Sequence, residues 1–288
     1  MENILVNLNL INKNEIIIEH KGTRDISNIN VKSNNNIKWL DIEQFKNYSE
    51  ENLNEYLVGT DLKELNIKNI RKSTYNDDKR RYDFIKHRFE KKSKILDFGC
   101  GTGGFLHLIK NEYDVYGVEM SDNYRNILQK ENLNIYKFID DINIKFDCIC
   151  LWHVFEHLDK PLEILKNISK KLKKNGKIYI EVPHSNDILI NRYGCDEFKK
   201  FTYWSEHLIL HTKKSLKTFI EAVNLNVKEI INIQRYNLIN HLYWLSKGKP
   251  GGQKKWEDMN INMLNEQYKK VLIDNNETDT ILAICELN

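Results

Sequence analysis

Proline and glycine are scarce, at three and twelve residues of 288, so each position they occupy marks a turn or a close approach with more weight than usual. No apolar run approaches the roughly 18 residues that a membrane span requires. The opening MENILVNLNLINKNE lacks a basic segment followed by an apolar one and a small-residue cleavage site, which speaks against a secretory signal and predicts a cytoplasmic protein. Charge of one sign is missing too: 44 basic residues against 41 acidic leave a net +3 spread along the chain, so there is no footprint for nucleic acid. Lysine-rich stretches such as Lys170 to Lys174 read as solvated surface. CxxC spacing is absent among Cys100, Cys148, Cys150, Cys195 and Cys285, and their odd number excludes a disulfide framework or a zinc knuckle. Cys148 and Cys150 alternate within an apolar run and are expected to pack on one face of a buried strand.

What the chain does have is concentrated. Four of the twelve glycines fall between Gly99 and Gly104, inside KILDFGCGTGGF (Lys94 to Phe105), an apolar run that ends in an acid and opens through a glycine-rich turn into a helical pattern. Downstream, strands are expected at Asp114 to Val118, Asn134 to Phe138, Phe146 to Trp152 and Lys177 to Val182, alternating with helices at Asp122 to Glu131 and Pro161 to Lys173. Such alternation predicts an α/β fold, a mostly parallel sheet covered on both faces. Beyond Pro183 the segment His184 to His211 is polar and aromatic with no clear period. Thr212 is placed to cap a helix to about Val223, Val227 to Gln234 and Thr280 to Glu286 read as strands, and an insertion at 235–279 separates them. Residues 1–72, rich in asparagine, form a small N-terminal unit in this reading, joined through a helix from Asp77 to Glu90 to a domain spanning 73–288.

A glycine-rich turn between a buried strand and a helix admits a nucleotide-like cofactor close to the backbone. Gly99, Gly101 and Gly103 give GxGxG, and Gly99, Gly101 and Gly104 also satisfy GxGxxG, so glycine spacing alone does not separate S-adenosylmethionine from NAD. Asp97 does. A carboxylate just before the first glycine repels a pyrophosphate but accepts hydrogen bonds from the ammonium of an amino-acid moiety. Glu119 ends the next strand where an acid would accept the ribose hydroxyls.

In their order and spacing, ILDFGCGTGG, VYGVE, FDCICLWHVFEHLDKP and GKIYIEVP resemble the consecutive signatures of class I S-adenosylmethionine-dependent methyltransferases, from about Asp77 to Pro183. The resemblance implies a Rossmann-like seven-stranded sheet with an antiparallel last hairpin. It assigns Asp97, Gly99, Gly101 and Gly103 to the methionine end of the cofactor, Glu119 to the ribose, and Asp140 or Asp141 to the adenine, and it offers Arg80 or Arg81 as a partner for the cofactor carboxylate. A solvated helix arginine is the plainer reading of that pair.

Methyl transfer to oxygen needs a group that takes a proton. His153, Glu156 and His157 follow the fourth strand of this unit, with the two histidines one turn apart if a helix starts there; they serve as a divalent-metal cluster, as a metal-free base, or as a structural cap. The segment 184–211 mixes aromatics with polar groups in the manner of a sugar site, and with SLKTFIEAVNL it resembles the substrate side of bacterial sugar and surface-polysaccharide methyltransferases. Within that resemblance His207 is the acceptor-side base. Arg235, Tyr236, Asn240 and His241 complete the pocket or form a homodimer contact. The expected activity is methyl transfer from S-adenosylmethionine to a hydroxyl of a saccharide or other small acceptor, without nucleic acid. A quinone-type acceptor and a non-catalytic methyltransferase-like subunit are the rivals, together with an NAD-dependent epimerase or reductase built on Tyr243 and Lys247.

Overall fold

The computed structural model describes residues 1–42 and 67–288; residues 43–66 of the expected N-terminal unit lie outside the described residues. Numbered in chain order, the strands are β1 (Ile17–His20), β2 (Val31–Asn34), β3 (Ile37–Leu40), β4 (Lys94–Phe98), β5 (Asp114–Val118), β6 (Asn134–Tyr136), β7 (Phe146–Trp152), β8 (Leu172–Pro183), β9 (Ile209–Leu210), β10 (Leu225–Ile233) and β11 (Thr280–Leu287). Seven of them form one sheet in the order β10-β11-β8-β7-β4-β5-β6. β4, β5, β6, β7 and β8 run parallel, and β11 runs against both β8 and β10. This is the α/β sheet that the alternating pattern predicts, with the antiparallel final hairpin that the resemblance implies.

Alternation along the central strands sends side chains to opposite faces. Leu96, Ile149, Leu151, Ile178 and Ile180 join one core with the helices Pro161–Lys170 and Lys213–Glu221. Ile95, Cys148, Cys150 and Tyr179 join another beneath Ile85, Phe105, Leu106 and Leu128. Cys148 and Cys150 share one face, their sulfurs 3.5 Å apart.

Several element limits differ from expectation for tertiary reasons. The helix expected over Asp77 to Glu90 runs from Ile67 to Ile85, held at its start by Arg71, whose Nε donates to the Thr102 carbonyl at 2.7 Å and whose Nη2 meets Glu131 at 2.7 Å. It therefore crosses the boundary drawn at residue 72. The helix from Pro161 stops at Lys170, short of Lys173, because Leu172 already pairs with Phe146 to open β8. The segment 184–211, without period in sequence, contains the short helices Ile188–Asn191 and Asp196–Thr202 and ends in β9.

β9 is where the N-terminal segment meets the rest. A second sheet has the order β1-β2-β3-β9, with Lys38 opposite Leu210 and Trp39 opposite Ile209. Leu5, Ile37 and Trp39 belong to the same core as the large sheet, each such side chain worth roughly 1.5–3 kcal/mol of burial. Lys38 is buried as well, and its ammonium donates to the Ser185 carbonyl at 2.9 Å and to Asn191 Oδ1 at 3.0 Å.

In the insertion 235–279, the helices Leu238–Lys247 and Asn262–Asp274 flank the Lys249-Pro250-Gly251-Gly252 loop. Tyr243 and Lys247 do not share an exposed edge. Tyr243 is 8% exposed and packs edge-on against Trp256, while Lys247 faces solvent.

Candidate active site

β4 ends at the middle of the sheet, and the chain leaves it through the glycine loop. Gly99 and Cys100 donate to the Val118 carbonyl at 2.8 and 3.0 Å, which bends the loop back over β5. Gly99 has φ +76°, and a Cβ there would stand 2.6 Å from Val154 Cγ2, so a side chain is excluded on two grounds. Gly101, at φ +51°, has nothing within 4 Å of where a Cβ would stand; its backbone borders open space. Gly103 then leads into the helix Gly104–Ile109.

Two acids frame that space. Asp97 is 3% exposed, and its Oδ1 has no hydrogen-bond partner among the described residues. Burial pushes its carboxyl up to about 8, although Arg81 pulls the other way. Glu119 accepts from the Gly101 N–H at 2.7 Å and the Ser121 N–H at 2.8 Å, and burial raises its pKa against those bonds. Beyond the strand ends, Met120 and Phe138 are 46% and 50% exposed, apolar surfaces suited to a flat base that the sequence reading passed over. Their signal was position, directly after an acid at the end of β5 and just past β6. Asp140 and Asp141 lie exposed in the turn Ile139–Asp141, where Asp141 accepts from the Phe138 N–H at 3.3 Å. The orphaned Asp97 oxygen and the open cradle over Gly101 fit the amino-acid end of the cofactor that the resemblance implies.

Arg80 and Arg81 are occupied elsewhere. Both converge on Glu181 of β8, which is fully buried: Arg80 Nη1 donates at 2.8 Å and Arg81 Nη2 at 2.8 Å. Burial opposes the Glu181 charge, but Arg81 and Arg80 outweigh it and hold the carboxyl well below the usual range. Arg235 enters from the insertion, with Nε 3.0 Å from Asp77 and Nη1 3.1 Å from His153 Nε2. Burial again opposes the Asp77 charge, and Arg235 wins, bringing its carboxyl down to about 2. Arg80 is thus not a freely solvated helix arginine: its guanidinium is paired with Glu181 and with Asp77. Asp77 and Glu181 went unnoticed in the sequence, although an acid within the apolar GKIYIEVP requires a cationic partner.

His153 adopts φ +56°, and the chain leaves β7 through this left-handed residue into the short turn Phe155–His157. The two histidines are therefore not one turn apart on a helix. His153 faces Arg235 and Glu181, with Nδ1 3.3 Å from Glu156. His157 faces His207 across 5.0 Å between ring centroids, and Trp204 lies edge-on to both. Each of the two donates from Nδ1 to a main-chain carbonyl, His157 to Glu206 at 2.7 Å and His207 to Thr202 at 3.1 Å. That fixes the tautomer with a lone pair on Nε2. Burial brings His157 down to about 4 and His207 to about 3, with His157 adding to the latter. Glu156, fully buried and with Oε2 unpartnered, is pushed up to about 8 by burial.

Among known proteins, a family model described as methyltransferase domain matches residues 69–230, more than half of the chain. The ubiquinone biosynthesis O-methyltransferase of Coxiella burnetii is 32% identical over 119 residues, covering 37% of this chain and 50% of that protein. A Methanocaldococcus jannaschii protein named as uncharacterized is 30% identical over 140 residues, covering 46% and 56%. The chain spans about half the length of the curated relatives it matches. In structure, it resembles a chain of the Haloferax volcanii complex between a methyltransferase and its activator, with TM-score 0.50, 15% identity, and coverage of 76% of this chain and 93% of that one.

Proposed function

The chain belongs to the methyltransferase-domain family, with the class I fold and S-adenosylmethionine as its cofactor, and on that premise we propose that it methylates a hydroxyl oxygen of a small acceptor, a sugar or sugar-linked intermediate. One observation carries the acceptor chemistry: His157, one short turn from Val154, which stands over Gly99, faces His207 across 5.0 Å between ring centroids, and both imidazoles hold their Nε2 lone pairs available. The cofactor, when bound, supplies an electrophilic methyl group on a sulfonium that leaves as a neutral thioether. Asp97 would hold its ammonium, the glycine loop would admit its amino-acid end, and Glu119 would take the ribose hydroxyls. His157 and His207 would orient the acceptor hydroxyl, and the Nε2 lone pair of one of them would take its single proton as the methyl group passes to oxygen and the carbon–sulfur electron pair stays on sulfur. Proximity and general-base assistance together supply the rate.

A saccharide is supported by the mixture of rings and polar groups on this side. The Arg24 guanidinium lies 4.5 Å over Trp204, and Tyr193 and Tyr236 are exposed. A phenolic hydroxyl of the quinone type is the second reading, favoured by the ubiquinone-pathway relatives. A cytoplasmic location belongs to the same proposal; no helix among the described residues is long and apolar enough to cross a membrane. The test is calorimetric titration with S-adenosylhomocysteine, NAD and NADP, followed by transfer of labelled methyl to sugar nucleotides and to catechols. Binding of S-adenosylhomocysteine with label in a sugar is expected. Label in catechols alone would move the acceptor to the second reading, and binding of a dinucleotide instead would overturn both.

A further inference from the structure

We propose that Glu156, His157 and His207 form a three-ligand site for a divalent transition cation. The set differs from the grouping that chain order suggests, because His153 is turned toward Arg235 and Glu181 and His207 takes its place from 50 residues further on. One ligand atom from each of the three lies within 4.8 Å of the other two, and His157 Nε2 is 3.8 Å from Glu156 Oε1. Around an ion with bonds of about 2.0–2.2 Å to nitrogen and oxygen, ligand atoms sit roughly 3–4 Å apart. The three side chains would reach coordinating distance with contractions of up to roughly 1–2 Å.

The surroundings are those of a metal site as well. A ligating imidazole needs its far nitrogen held by an acceptor, which fixes the tautomer and aims the lone pair. Both histidines have this, through the Glu206 and Thr202 carbonyls. The two ligand-bearing segments are stitched together by the main chain, where the Leu208 N–H donates to the Glu156 carbonyl at 2.9 Å. Glu156 supplies the independent sign. A fully buried carboxylate with one oxygen lacking any partner is costly unless a cation or a proton meets it. Two imidazoles and one carboxylate suit zinc, manganese or iron(II), and disfavour the all-oxygen shells of calcium and magnesium. Three protein ligands leave positions open, as catalytic sites require.

This inference rests on the proposed function for its role. With the cation present, both Nε2 lone pairs are committed to it, and the acceptor hydroxyl takes an open position. Coordination acidifies the hydroxyl, and its proton leaves to solvent instead of to an imidazole. The remaining balance is unchanged: an oxygen–methyl bond forms, the sulfur–methyl bond breaks with its pair on sulfur, and the cation keeps its charge.

The experiment starts from protein stripped with a chelator and then dialysed. Zn2+, Mn2+ and Mg2+ are titrated calorimetrically, bound metal is counted by mass spectrometry after gel filtration, and S-adenosylhomocysteine is titrated alongside. The expected result is one Zn2+ or Mn2+ per chain and no tight Mg2+, with affinity at least about tenfold weaker in His207→Ala and His157→Ala and unchanged in His153→Ala. Should the alanine variants fail to fold, the wild-type Co2+ complex serves, expected to show d–d bands of nitrogen and oxygen ligands without thiolate charge transfer. Failure to take up stoichiometric metal, affinity indifferent to His207, or loss on His153→Ala in its place would each overturn the site. S-adenosylhomocysteine binding without metal uptake sinks only the cation; metal uptake without S-adenosylhomocysteine binding sinks the methyl-transfer reading.

Discussion

The residues that frame the space over the glycine loop are neighbours in sequence, whereas those proposed to face the acceptor are gathered from across the chain. Asp97, Gly99, Gly101 and Glu119 fall within one strand, loop, helix, strand unit, and hydrogen bonds such as Gly101 to Glu119 at 2.7 Å close it locally. Asp77, His153, Glu181 and Arg235, by contrast, come from four separate elements to make one polar cluster, and His157 meets His207 from the far end of a segment without period. A chemistry common to many acceptors can be stored in a short motif. A fit to one acceptor is stored in tertiary contacts, which other chains of the same fold are free to vary.

This contrast can be broken experimentally, beginning with the strongest effect. Asp97→Ala combined with Glu119→Ala removes two charge-assisted bonds of about 1.5–3 kcal/mol each, so S-adenosylhomocysteine affinity is expected to fall at least about a hundredfold in calorimetry with circular dichroism unchanged. Wild-type affinity would mean that the local unit does not hold the cofactor. Glu181→Ala strands Arg80 and Arg81 beside each other. A loss of about 3–5 kcal/mol in denaturant unfolding is expected, and a loss under 1 kcal/mol would show that the cluster is not what ties these four elements together. His207→Ala should lower kcat about a hundredfold with S-adenosylhomocysteine affinity retained, separating the two sides; a parallel fall in both would join them.

pH sharpens the same division. Asp97 is faced by Asp78 and Arg81 from the helix Ile67–Ile85 and by Glu119 from the end of β5, and burial leaves its carboxyl near 8 instead of 3.8. The folded chain without cofactor therefore holds a proton that the unfolded chain has lost between those values, and its stability falls as pH rises through that window. An ammonium ligand favours the carboxylate and expels that proton. Affinity for S-adenosylhomocysteine is thus expected to rise with pH by up to about tenfold per unit and to level off above about 8. A flat profile in the wild type, matching Asp97→Asn, would remove Asp97 from the contact. The smallest effect is the most pointed: Tyr243→Phe should change neither binding nor transfer, because Tyr243 packs against Trp256. A large loss there would revive a reductase.

The strands of the α/β sheet, the glycine loop and its two acids were legible because strand period, turn glycines and an acid at a strand end are local signals. The antiparallel end was implied only by the resemblance to class I methyltransferases, and the strand order, set by pairing between distant segments, was not read. Thr212 was legible for the same reason, and it accepts from the Ser215 N–H as a helix cap. The left-handed turn at His153 was not, since nothing in Trp152-His153-Val154 announces φ +56°. Nor was the meeting of His157 with His207, whose segments, distant along the chain, are joined by the Leu208 N–H donating to the Glu156 carbonyl. The helix from Ile67 escaped for a third reason: its start is set by Arg71 reaching Thr102 and Glu131, a contact invisible to any window along the chain.

The pairing of Trp39 with Ile209 and of Lys38 with Leu210 also bears on the order in which the molecule comes into being. Closing that contact joins positions some 170 apart in the sequence, so β1, β2 and β3, although synthesised first, must wait without their fourth strand while most of the chain emerges. The parallel strands from β4 to β8 can assemble in the interval, and with them the glycine loop. A nascent chain would then acquire its glycine loop well before the β3–β9 contact closes, and the segment carrying His207 is the closing stitch between the strands β1 to β3 and the large sheet.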